Sequence, residues 1–545
     1  MKADLIVTGN IYTTDSQEHC GKMFAVKDGR YAYVGACERM GEFQDEHTKV
    51  IGVSDGLVLP GLFEGHAHIT SGVPLFHGVN LYGLSSPAQY LEVVKNYIED
   101  HPQEEFIVGR GYINGHFGQL GPTAIQLDEI CSDKYIILDS EDCHSSWVNT
   151  KVLRAAGINQ ETMDIKNGVI VRYEGTKIPT GWLKEKEMDV VRRLLPKTTI
   201  ETYKETILAY QKLAIAHGLS GIYEPVMNDK EDIEERIQAF YELDQEGKLI
   251  LAYRAGITID PGDDFTLLDR IVQWKENTNG SHFKITGIKV FLDGVIEGHT
   301  AYLREPYTDE TVPGDYYMWE QENLNKLFTM AAGLDLSVHV HAIGDAAIDA
   351  ALDAFEIAEQ TTGKKDLRNC ITHLQIMAKD QFKRFKELDI IAVVNPFWHF
   401  KNPDYYDQLE LVFLGKERAE KEYPVKSFFD HGVRVTQASD WPVSYSFHPF
   451  LGLEIAVTRK EAGNPHMEAL NPGEAVTVEQ MLQALTCNGA YQMKLEEELG
   501  KIEEGKLANF IIIDKNILQI PKEQLSAVRV LGNYIKGEEV YHVNA

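Results

Sequence analysis

The feature that most restricts how this chain can fold is an alternation. Eight short strand-like runs, at residues 57–59, 221–223, 249–253, 288–292, 338–341, 371–373, 390–394 and 433–436, are spread through the sequence, and helical patterns separate several of them. Leu324, Leu327, Phe328 and Ala331 recur at helical spacing and stop at Gly333; Ile348, Leu352 and Phe355 do the same ahead of Gly363. Eight strands alternating with helices predict an α/β protein built on a (β/α)8 TIM barrel, whose active site lies at the carboxyl ends of the strands. The gap between the first two runs is too long for a single crossover. Residues 71–199 are therefore expected to form an inserted subdomain over the active site, with strands of their own near 106–108 and 135–138.

The two ends of the chain resemble one another. Short β-rich runs at 5–7, 24–26 and 31–34 find counterparts at 510–513, 528–531 and 534–535. Asp28-Gly29 between two such runs is a strong hairpin signal, and Lys536-Gly537 marks a second turn. Left alone, these apolar strands would expose unpaired edges. Residues 1–56 and 500–545 are thus expected to build one small β-sandwich from both termini, around a barrel made of residues 57–70 and 200–499.

Composition narrows the function. With 43% hydrophobic and 25% charged residues over 545 positions, the chain is of soluble globular type and longer than one ordinary domain. Its 53 basic and 83 acidic residues give a formal charge of -30, which disfavours nucleic acid and anionic membrane surfaces as partners. No apolar run reaches the roughly 20 residues that span a bilayer. No secretion signal follows Met1, and Cys20, Cys37, Cys131, Cys143, Cys370 and Cys487 are scattered without C-x-x-C spacing, as expected for reduced thiols in a cytoplasmic protein. No dinucleotide fingerprint follows a strand, and neither a P-loop nor a G-x-S-x-G elbow is present. The expected partner is a small-molecule substrate, with a homodimer allowed for.

Chemistry enters at His66-Ala67-His68, just beyond the Pro60-Gly61 break. In extended chain, alternation puts both imidazoles on one side, which makes half of a site for a borderline metal. In a chain with 19 histidines, H-x-H alone is a weak signal. What strengthens it is where the other candidates fall. Lys289, His341, His373 and Asp440 stand in or at the ends of the fourth, fifth, sixth and eighth runs. Each has a plainer reading: Lys289 paired with Asp293, His373 as a hydrogen-bonded core residue, Asp440 as a helix cap before Trp441-Pro442. All of them at strand carboxyl ends is a pattern those separate readings do not explain. Tyr112, His144, Trp147 and Trp182 in the insert, with Phe291 and Trp398 in the barrel, are candidates to line a substrate pocket.

These segments carry a resemblance along nearly the whole chain. Residues 60–68, the Ile107-Val108-Gly109-Arg110-Gly111 run, His144-Ser145-Ser146-Trp147-Val148-Asn149, Pro179-Thr180-Gly181, His341-Ala342-Ile343-Gly344-Asp345, Ser439-Asp440-Trp441-Pro442 and Gly505-Lys506-Leu507-Ala508 resemble the amidohydrolase superfamily, in the branch that contains N-substituted formamide deformylase. The resemblance implies that His66 and His68 bind one divalent metal and His341 and His373 another, both zinc. It further implies that Lys289 bridges them as an N-carboxylated side chain, while Asp440 completes the first metal and serves as acid and base. The expected activity is hydrolysis of an amide-type C–N bond other than a peptide bond, in an N-acyl, N-formyl or cyclic amide. The alternatives are a mononuclear deaminase-like hydrolase and a non-catalytic scaffold on the same fold. The chain departs from the family pattern at Glu64, usually aspartate, at Ala346, usually arginine, at Asn509, which ends the Gly-Lys-Leu-Ala-Asp signature, and near His299, where a basic residue is usual.

Overall fold

The computed structural model describes residues 2–14, 22–118, 120–141, 144–165, 168–225, 227, 232–314, 316–403 and 405–543. Two compact units emerge, one of Met1–His68, Tyr210–Asp440 and Ser446–Ala545, the other of Ile69–Ala209 and Trp441–Tyr445.

The first unit holds the barrel. Its strands are β1 (Leu62–Glu64), β2 (Leu219–Glu224), β3 (Ala252–Thr258), β4 (Phe283–Phe291), β5 (Ser337–Ala342), β6 (Cys370–His373), β7 (Ile391–Val394) and β8 (Val435–Gln437). They pair in chain order, every neighbour parallel. The ring is drawn together by Gly65 N–H donating to the Gln437 carbonyl at 3.0 Å. Strands β2, β5, β6 and β7 are buried along their whole length, as parallel strands covered on both faces must be. The helical patterns appear as Gln321–Gly333, which buries Leu324, Leu327, Phe328 and Ala331, and Asp345–Thr362, which ends on a left-handed Gly363.

One strand differs from its sequence expectation. Residues 57–59 belong to Lys49–Pro60, which pairs with Leu5–Ile11 and Phe510–Ile513 in the terminal sheet, and the barrel begins only at Leu62. An apolar run buried on both faces looks alike in either sheet, so the run alone could not say which it joins. Between the two lies Gly61, where an added Cβ would fall 1.9 Å from Ser220 Oγ. The third barrel strand also starts later than the apolar run suggests, because Leu249 and Leu251 are buried just ahead of it.

Both termini enter a single seven-stranded sheet, in which Lys49–Pro60 lies between strands from the two ends of the chain. Alternation in Leu5–Ile11 sends Leu5 and Val7 into one apolar cluster and Ile6 into another on the opposite face. Asp28 and Gly29 both adopt positive φ (50° and 76°) between strands Lys22–Lys27 and Arg30–Ala36, the conformation a two-residue hairpin needs; Lys536 and Gly537 repeat it at 51° and 76°. The second unit carries its own six-stranded sheet, including Phe106–Tyr112 and Tyr135–Ser140, with apolar clusters around Trp147 and around Leu183. Cys37, Cys131, Cys370 and Cys487 are free thiols; Cys20 and Cys143 lie outside the described residues.

Candidate metal centre

Just past β1 and β8, the turns carrying His66 and Asp440 are tied backbone to backbone: Asp440 N–H donates to the His66 carbonyl at 2.9 Å. Glu64 strengthens the tie. Its buried Oε1 accepts the N–H of His66 at 3.0 Å and of Ser439 at 2.9 Å. Burial raises this carboxyl to about 8, against the pull of those two donors. Asp440 itself sits at φ 59°, a left-handed turn that aims its carboxylate inward.

The result is a close group of donors. His66 Nε2 is 3.2 Å from His68 Nε2 and 2.9 Å from Asp440 Oδ1, and His68 Nε2 is 2.8 Å from the same oxygen. Among the described residues, these three are the group of His, Cys, Asp and Glu whose ligand atoms all lie within 4.8 Å of one another. Burial works to raise the Asp440 carboxyl, but the His68 hydrogen bond and nearby positive charge outweigh it and hold the group below its ordinary value. It is ionised at neutral pH.

His341 and His373 stand beside this group, on β5 and β6. Their ring centroids are 4.4 Å apart, and the His373 ring is 5.4 Å from that of His66. Each ring is oriented through one nitrogen: His341 Nε2 donates to the Gly294 carbonyl at 3.1 Å, and His373 Nδ1 donates to Asn395 Oδ1 at 3.1 Å. That leaves His341 Nδ1 and His373 Nε2 as bare lone pairs, the form a metal ligand requires. Burial first, then Lys289 for His341 and His341 for His373, keeps both rings neutral, His341 down to about 4.

Lys289 on β4 is fully buried, and among the described residues its Nζ has no hydrogen-bond partner. Burial lowers the amine to about 7 despite the pull of Asp440. The pairing with Asp293 does not form as a hydrogen bond. Asp293 instead accepts backbone N–H groups of Ile343 (3.0 Å), Gly344 (2.9 Å) and Tyr302 (3.0 Å), and its Oδ1 lies 3.8 Å from His341 Nε2. Burial raises this carboxyl to about 7.

The pocket candidates fall in different places. Phe291 packs on His341 with centroids 5.2 Å apart and lies under Lys289 Nζ at 4.9 Å; Trp398 stacks on His373 at 5.3 Å. Both therefore touch the rings that the centre is made of. Tyr112, His144 and Trp182 belong to the second unit. Tyr112 is buried in its core, its hydroxyl 2.9 Å from Ser145 Oγ and its ring edge on Trp147. Trp182 is covered by Gly121 and by Lys184, whose Nζ is 3.7 Å from the ring centroid. His144 is exposed and pairs with Glu185 at 3.2 Å. Of the positions that depart from the family pattern, His299 is held by Asp309 at 2.9 Å and stacks on Tyr307 at 3.9 Å.

Sequence reasoning passed over His339, Cys370 and Asn395, and named Asp293 only as a partner for Lys289. His339 had a signal of its own, since Val338-His339-Val340-His341 repeats the H-x-H spacing and puts both rings on one side of β5. Nothing in the sequence sets Cys370 or Asn395 apart.

A family model described as the amidohydrolase family matches residues 49–541. Protein LONG AFTER FAR-RED 3 of Arabidopsis thaliana is 30% identical over 549 residues, covering 99% of this chain and 92% of that protein. N-substituted formamide deformylase of Arthrobacter pascens is 26% identical over 562 residues, covering 98% of each. The crystal structure of an uncharacterised metal-dependent hydrolase from Pyrococcus furiosus, 26% identical, matches with a TM-score of 0.72 over 94% of this chain and 100% of that one. With a family match spanning both the barrel and most of the terminal sheet, this chain belongs to the amidohydrolase family.

Proposed function

We propose that this protein hydrolyses an amide-type C–N bond in a small molecule, an N-formyl, N-acyl or cyclic amide, using a pair of zinc ions. The observation that carries the reading is the convergence of His66, His68 and Asp440 donor atoms within 4.8 Å at the carboxyl end of the barrel. His341 and His373 lie beside them with their free nitrogens oriented, and N-substituted formamide deformylase is a relative of matching length.

The residues fit the metals in type and in charge. His66, His68 and Asp440 would hold one ion and His341 and His373 the other. Lys289 would serve both halves once its neutral amine had added carbon dioxide, giving a carbamate and releasing a proton. That exchange would replace a buried neutral amine with an anion offering two oxygens, and it supplies a role for a buried Nζ that otherwise lacks a hydrogen-bond partner among the described residues. When bound, such ions lower the pKa of water from about 15.7 to about 7 and polarise a carbonyl oxygen. Asp440, ionised and within 3 Å of both strand-one histidines, accepts the proton of the attacking water and returns it to the leaving nitrogen. Glu64 holds the Asp440 and His66 turns at fixed spacing while that proton moves.

A second reading, one metal on His66, His68 and Asp440 with Lys289 unmodified, is favoured by the fact that only these three converge this closely among the described residues. Metal analysis with anomalous diffraction separates the two, followed by turnover of N-formyl, N-acyl and cyclic amide panels. Two fully occupied sites with extra density on Lys289 are expected; one site and a bare lysine would leave the mononuclear reading. No metal and no turnover on any panel would remove both.

A further inference from the structure

We infer that His339 and Cys370 are positioning residues for His66, forming a buried chain of hydrogen bonds that gives the Nδ1 proton of His66 an acceptor and so frees Nε2 to ligate. The inference rests on the metal-centre reading above and adds to it a device behind the ligands.

The chain is linear. His66 Nδ1 is 2.8 Å from His339 Nε2, and His339 Nδ1 is 2.9 Å from the Cys370 thiol sulfur. All three are buried, at 1%, 0% and 2% exposure, so water is not available to satisfy either gap. The lateral register puts His339 directly opposite Lys289 on one side and Cys370 on the other. Tyr223 stacks on the His339 ring at 5.0 Å and 17°, which fixes its plane.

Two neutral imidazoles and one thiol can fill these gaps in only two ways. In the first, Cys370 donates to His339 Nδ1 and His339 Nε2–H donates to His66 Nδ1. His66 then carries its proton on Nε2, facing Asp440 Oδ1 at 2.9 Å, and cannot ligate. In the second, His66 Nδ1–H donates to His339 Nε2, His339 Nδ1–H donates to the sulfur, and the thiol hydrogen turns away. His66 Nε2 is then a bare lone pair aimed between His68 and Asp440. Both arrangements hold three protons and the same charge. Each imidazole moves its proton from one nitrogen to the other, and nothing ionises. A cation between His66, His68 and Asp440 selects the second arrangement, and His339 makes that arrangement possible by offering an acceptor to the Nδ1–H. Ligating histidines normally pass this proton to a carboxylate or a carbonyl; here the acceptor is a second histidine backed by a thiol.

The test is Co(II) and Zn(II) titration of the full-length apoprotein, followed by visible absorption and by competition with a chelator. His339→Phe keeps the ring and its stacking on Tyr223 but removes the acceptor; it should weaken metal binding by about 10–100-fold. His339→Gln, whose amide oxygen can accept the same N–H, should recover most of the loss, which mere repacking would not predict. Cys370→Ala should show a smaller loss in the same direction. Wild-type affinity in folded His339→Phe overturns the inference and leaves the metal centre standing. If His339→Phe does not fold, 15N-labelled histidine spectra of the zinc-bound wild type decide: a proton on His66 Nδ1 is expected, and one on Nε2 overturns the proposal. Wild-type protein that takes up no metal overturns the centre and this inference together.

Discussion

The two halves of the centre are built differently. His66, His68 and Asp440 come from turns that hydrogen-bond to each other and share Glu64, and their donor atoms already stand 2.8 to 3.2 Å apart. His341 and His373 come from adjacent strands, and each is aimed from behind, by Gly294 and Asn395. The first half is a cup that needs only a cation. The second is two oriented lone pairs near the buried Lys289, which the proposed reading turns into their anionic partner. Convergence comes from backbone ties in one half; in the proposed reading it would come from carboxylation of Lys289 in the other.

The largest test of this contrast is Asp440→Asn. It should leave the fold intact and lower turnover by several orders of magnitude, because the proton acceptor and a ligand go together. Near-normal turnover on an amide that the wild type cleaves would require another base. Next comes Lys289→Ala, which should lose metal and activity, with short carboxylic acids restoring part of both. Metal content measured before and after rescue shows whether the second half depends on an anion at this place. Smaller still is Asn395→Leu, which frees His373 from its orienting contact and should weaken metal binding about 10–100-fold by titration. Unchanged affinity would mean that the ring is held by Trp398 alone. Asp293→Ala should act on stability, leaving two buried N–H groups and a partly buried one without an acceptor at a cost of about 3 kcal/mol in chemical denaturation. Last, Gly537→Ala forces a side chain into a left-handed turn and should cost about 1–2 kcal/mol with metal binding untouched.

How much of this could be read from the sequence follows from the range of the forces involved. The hairpin at Asp28-Gly29 and the helix ending at Gly363 were legible because turn chemistry and helical periodicity act within a few residues. That His66, His68 and Asp440 come together, with His341 and His373 beside them, was legible because each lies at a strand end, and strand order fixes where strand ends meet. His339 and Cys370 were not, because their meaning depends on lateral register across β4, β5 and β6, which no local pattern encodes. Assigning residues 57–59 to the barrel failed for the same reason: a strand buried on both faces does not announce its neighbours.

The terminal sheet has a consequence for synthesis on the ribosome. Lys49–Pro60 takes Phe510–Ile513 as its partner on one edge, and that segment emerges roughly 450 residues later. At translation speeds of about 5–20 residues per second, the nascent strand waits roughly 20 to 90 seconds with one edge unpaired. During that interval a buried, aliphatic stretch is open to other chains, and a chain truncated before residue 510 never closes it. Termination ahead of residue 510 should therefore yield aggregation rather than a shortened enzyme.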